Sequence, residues 1–102
     1  MDAGPGASDE VDDQALTLRS QGRSFGAIAD ALGLGRAVDA NRAFNRALRR
    51  QSPEERSTIR TRENRRLDRM VEGIQADTGM SPDAAQKRLR TIERLRDLLM
   101  AD

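Results

Sequence analysis

The residues of this chain best equipped to do chemistry are five arginines in one stretch, Arg36, Arg42, Arg46, Arg49 and Arg50, with Val38, Asn41 and Asn45 among them. Arginine carries a permanent charge and a flat fork of N–H donors. That fork grips a phosphate, or takes the O6 and N7 edge of guanine in two parallel bonds. Asparagine pairs with the edge of adenine in the same manner, and valine can lie against the methyl group of thymine. These are binding chemistries; catalytic ones are poorly supplied. The sequence has no histidine and no cysteine, which excludes disulfides, zinc-finger ligand sets and the usual nucleophile–base pairs. Carboxylates are plentiful, but no Gly-rich phosphate loop or metal-ligand spacing accompanies them. The expectation is a protein that is not an enzyme, with no metal, no cofactor and no small-molecule substrate.

Charge is distributed unevenly. The formal total is only +1, yet residues 1–14 hold five acids and no base, while residues 36–51 set the five arginines against Asp39 alone. A positive surplus concentrated on one segment indicates where a polyanion would bind. The opening residues MDAGPGASDE are small, acidic and contain Gly-Pro-Gly, which predicts a disordered acidic tail over 1–9. Such a tail is read first as a solubilising segment, with the alternative that it competes with phosphates for the arginines.

Positioning these side chains falls to helices. Only 36% of the residues are hydrophobic and 2% aromatic, so the core must be thin and rich in alanine and leucine. Helix formers dominate over β-branched residues, and the fold expected is all-α. A first helix should begin near Asp9 to Asp13, with its acids at the positive end of the helix dipole, and stop near Gly22. Ser24 is suited to cap a second, in which Ile28, Ala31 and Leu32 share a face. Gly33-Leu34-Gly35 ends it, and from Arg36 a third runs to about Gln51. On that third helix Ala37, Ala40, Phe44, Ala47 and Leu48 share one side; Val38, Arg42, Asn45, Arg46 and Arg49 share the other. Leu16, Phe25, Ile28, Leu32, Leu34, Phe44 and Leu48 are the expected core of a three-helix unit over 10–51.

Two helices joined by a glycine-containing turn, the second basic on its outer face, have the outline of a helix-turn-helix. The run G-R-S-F-x-x-I-A-x-x-L-G-L from Gly22 to Leu34 resembles that of homeodomain-like DNA-binding proteins of the small actinobacterial and phage type. The ending A-F-N-R-A-L-R-R, followed by a charged helical extension, is similar to the same group. The resemblance covers Ala15 to Arg50 and is only general after Ser52. It implies a protein that binds double-stranded DNA, probing the major groove with the third helix. Val38, Asp39, Asn41 and Arg42 would then be the candidates to read bases, a turn longer than usual rotating Asn41 outward. Asn45 lies on the same arc. Arg36, Arg46, Arg49 and Arg50 would meet the DNA beside them, chiefly its backbone, and Arg23 and Ser24 would meet a phosphate at the start of the second helix.

Beyond Ser52, Ser-Pro-Glu-Glu starts a helix to about Ala76, Asp77–Met80 breaks it, and Ser81-Pro82 starts another to about Met100. The two form an antiparallel helical hairpin over 52–102. Leu67, Met70, Val71, Ile74, Leu89, Ile92, Leu95 and Leu99 make its apolar stripe, expected to serve as an oligomer or partner interface. A homodimer suits paired half-sites. No run is apolar enough to span a membrane, so the expected location is cytoplasmic and nucleoid-associated. Transcription regulation is the leading function. Two alternatives stay open: a phage-type small terminase subunit assembling as a ring, and a helical module contacting the transcription machinery.

Overall fold

The computed structural model describes the backbone of residues 4–101 and the side chains of residues 9–101. Among the described residues there are five α-helices and no strand: α1 (Gly4–Ser20), α2 (Phe25–Leu32), α3 (Ala37–Arg49), α4 (Pro53–Ala76) and α5 (Pro82–Met100). Among the described residues no helix is long and apolar enough to cross a membrane. The chain divides into two compact units, one ending at Ser52 and the other beginning at Pro53.

In the first unit both α1 and α2 pack on α3. Ala15, Ile28, Ala29, Ala40, Ala43, Phe44, Ala47 and Leu48 are fully buried. Alanine at three buried α3 positions, Ala40, Ala43 and Ala47, lets the helices approach closely, and Phe44 is the largest of the fully buried side chains. Its ring meets that of Phe25 edge-on, centroids 5.5 Å apart at 62°, a favoured aromatic geometry. The Arg19 guanidinium lies 4.0 Å above Phe25 and donates to the Arg23 carbonyl at 3.0 Å. Leu16, Phe25, Leu32 and Leu34 border this core half-buried.

The start of α1 differs from expectation. Residues 1–3 of the expected tail lie outside the described residues, but from Gly4 onward the chain is helical. Proline is tolerated in a first helical turn because its missing N–H has no intrahelical partner there. The earlier start places Asp9, Asp12 and Asp13 well inside the helix, beyond the reach of its N-terminal dipole.

In the second unit, Arg60 pairs with Leu99 and Ala101, Asn64 with Arg96 and Met100, and Asp68 with Arg96, so α4 and α5 run antiparallel. Leu67, Ile92 and Leu99 are buried here along with Glu63. These three leave the expected partner interface: they are spent inside their own unit, where they hold α4 to α5. Met70 stays 44% exposed, and Val71, Ile74, Leu89 and Leu95 are half-buried. The hydroxyl of Ser81 accepts the Ala84 N–H at 3.2 Å, capping α5 ahead of Pro82.

At the far end of α5, Arg60 donates to the carbonyls of Leu99 (2.9 Å) and Ala101 (3.0 Å). The last carbonyls of a helix have no intrahelical donor, and a cation there also answers the negative end of the dipole. Arg60→Ala should therefore cost about 1–2 kcal/mol, read as a lower melting point and faster amide exchange in the last turn of α5. Unchanged exchange there would show that Arg60 caps nothing.

Candidate nucleic-acid interface

The turn between α2 and α3 is set by two glycines. Gly33 adopts φ 67° and Gly35 φ 85°, left-handed conformations that side chains with a Cβ resist. Leu34 N–H donates to the Ala29 carbonyl at 2.8 Å and Gly33 N–H to that of Asp30 at 3.4 Å. This is the paired closure of a Schellman motif. At the other end of α2, Ser24 accepts from Ala27 N–H at 3.1 Å. That hydroxyl works as a helix cap, beside the exposed side chain of Arg23.

α3 begins at Ala37 behind an extended Arg36 whose side chain makes no cap. Instead Arg36 Nε and Nη2 reach Asp39 at 3.3 and 3.4 Å, and Arg42 Nη1 stands 3.9 Å from the same carboxylate. All three side chains reach solvent. Asp39 thus sits between two arginines in the first turn, where the dipole favours an acid. Val38 is 39% exposed, and Arg42 and Arg49 are exposed on the same side of the helix. Val38, Arg42 and Arg49 lie opposite Phe44 and Leu48, as expected from their spacing.

Four of the expected contact residues are placed differently. Asn41 and Asn45 are buried, at 5% and 4% exposure, and therefore do not share the outer face. Asn45 Nδ2 donates to the carbonyl oxygen and to Oδ1 of Asn41, both at 3.1 Å. One turn apart, Asn45 donates to Asn41, which offsets part of the cost of burying both in an arc wider than an ordinary amphipathic stripe. The Oδ1 of Asn45 has no hydrogen-bond partner.

Arg46 and Arg50 are turned toward α1. Arg46 makes a two-pronged bond to Asp12, Nε–Oδ2 2.9 Å and Nη2–Oδ1 3.0 Å. Arg50 reaches Asp13 at 3.0 Å, and Asp9 and Asp12 at 3.4 Å. The side chain of Asp12 is only 3% exposed, whereas that of Arg46 is 51% exposed. The bond to Asp12 pushes the Arg46 pKa above its ordinary value against the opposing effect of desolvation. A raised arginine pKa contributes its full stability below the unfolded value and loses it only as pH climbs through the folded one. The clamp is therefore indifferent to pH on the arginine side throughout the physiological range.

Sequence reasoning missed Asp12. The only available signal was the acid-rich opening set against the base-rich third helix, which says that charges attract but not which carboxylate becomes buried. Among the described residues no cluster of side chains suits a metal ion. No protein-family model, no curated protein and no solved structure matches this chain.

Proposed function

We propose that the first unit binds double-stranded DNA, with α2, the glycine turn and α3 acting as a helix-turn-helix of the homeodomain-like kind, and that the protein regulates transcription in the cytoplasm at the nucleoid. One observation carries the reading: Val38, Arg42 and Arg49 form an exposed line along one helix, braced from behind by the core. Arg42 is the base-reading arginine, oriented by Asp39 toward a guanine edge. Val38 packs on a thymine methyl, and Arg49, Arg23 and Arg36 meet phosphates. Asn41 and Asn45 keep α3 in place and take no part in base reading.

Selection of bound oligonucleotides from a random pool tests this directly, a defined motif being the expected result. On that motif Arg42→Ala should lower affinity by roughly 1–3 kcal/mol and relax the preference at one position. Retained affinity and preference would remove Arg42 from the interface.

One observation favours a second reading. Arg46 and Arg50 are already neutralised by α1, which weakens the field α3 presents to a polyanion. A helical module that contacts a protein of the transcription machinery would tolerate that loss better. DNA binding without sequence preference, vanishing at moderate salt, would favour this alternative.

A further inference from the structure

We infer that the groove between the C-terminal part of α4 and the N-terminal half of α5 is a self-association surface, and that its occupant is the same groove of a second copy of this chain. Its apolar lining comes from Met70, Ile74, Met80 and Leu95, with the buried Ile92 among them. Methionine at two of these positions suits a surface that must fit a partner, being flexible and polarisable.

Three features select a second copy as the occupant. Gly73 lines the groove in the last turn of α4 and leaves that wall without a side chain. A Cβ built on it meets nothing within 4 Å. The vacant volume thinning this wall lets another helix approach the backbone of α4. Charge is the second feature. The groove holds one acid, Asp77, and one base, Arg88. A two-fold axis placed to set Asp77 toward the partner's Arg88 would repeat the pair in reverse, the self-complementarity an isologous interface needs. Asp77 already uses one oxygen to accept the Gly79 N–H at 2.9 Å, which fixes where its carboxylate stands. The third is the thinness of the interior. Within the second unit only Leu67, Ile92 and Leu99 are fully buried apolar side chains, little to hold together helices of 24 and 19 residues. Two copies meeting through this face make four helices around a shared apolar seam. The inference supplies the second copy that paired half-sites require, yet it stands or falls without DNA present.

Sedimentation equilibrium of the full chain in the absence of DNA tests it. The expected result is a reversible species of twice the chain mass at micromolar concentrations. Gly73→Leu should increase helix content, because leucine favours helix over glycine, while weakening association by about tenfold or more as it fills the groove. Misfolding cannot produce that combination. Arg88→Glu should weaken association by about tenfold by opposing two acids, and adding Asp77→Asn should recover roughly threefold of that loss. Asparagine keeps the acceptor for Gly79, so the turn survives. A monomer at every concentration would overturn the inference, as would a dimer whose dissociation constant none of these substitutions moves.

Discussion

Phe44→Ala is expected to unfold the first unit. Phe44 is 1% exposed and is the largest of the fully buried side chains. Its truncation removes the apolar transfer energy of a ring and leaves a cavity, together about 3–5 kcal/mol, before the edge-on contact with Phe25 is counted. Of the side chains that share its helix face, Ala40 and Ala47 have no reach with which to fill the hole, and Leu48 is already packed at 1% exposure. A unit of this size has a total stability of only about 3–7 kcal/mol at the usual density per residue, so the substitution consumes most or all of it. Amide exchange is the discriminating measurement: protection across α1, α2 and α3 should be lost. Phe44→Leu keeps much of the volume and should retain a cooperative fold. If Phe44→Ala left exchange in α3 within threefold of the parent, the ring would not be the centre of this unit.

That centre was readable from residue types, and it is instructive to see which neighbouring features were not. The glycines at 33 and 35, Ser24 and the Ser81-Pro82 start are local signals. Each acts through its own backbone within four residues, so sequence suffices to place α2, the turn and α5. Of the inner line Ala37, Ala40, Phe44, Ala47 and Leu48, the last four are buried as helical periodicity alone predicts, while Ala37, at the first position of α3, is exposed. Periodicity failed at Asn45, and the outward rotation expected of Asn41 is absent, because α3 is packed on by two helices and its buried arc takes in positions that a one-sided helix would expose. Polar residues read as outward until a hydrogen bond, here donated by Asn45 to Asn41, offsets their burial, and that bond is invisible without the helix. Asp12 failed for a different reason. An acid near the start of a helix has an ordinary local explanation, the dipole, whereas its actual partner Arg46 lies 34 residues away. In the second unit the apolar stripe of α4 and α5 was readable, but periodicity cannot divide it between the two helices and a partner. Leu67 and Ile92 went inward while Met70 was left facing solvent.

The clamp between α1 and α3 is expected to answer unequally to removal of its two halves. Arg46→Ala strands the carboxylate of Asp12, which is nearly inaccessible to water and keeps only the longer 3.4 Å contact with Arg50. Leaving a buried charged acceptor short of a donor should cost about 2–3 kcal/mol. Asp12→Ala instead releases a half-exposed guanidinium into solvent and places a better helix former in α1, so its cost should stay below about 1 kcal/mol. In a double-mutant cycle followed by denaturant unfolding, the double variant should resemble Asp12→Ala alone, because no stranded charge remains. Equal costs for the two single changes would mean that Asp12 is better hydrated than its burial implies. The same substitution bears on the proposed function with opposite sign. Asp12→Ala withdraws the principal acid from Arg46 and one of three from Arg50, returning positive charge to the helix proposed to meet DNA. If those arginines then engage phosphates, affinity rises while stability falls, and each new contact steepens the dependence of log K on log salt by roughly 0.9. A slope unchanged in Asp12→Ala would confine Arg46 and Arg50 to holding α1 on α3. The proposed DNA contacts would then rest on Val38, Arg42 and Arg49, with Arg23 and Arg36 beside them.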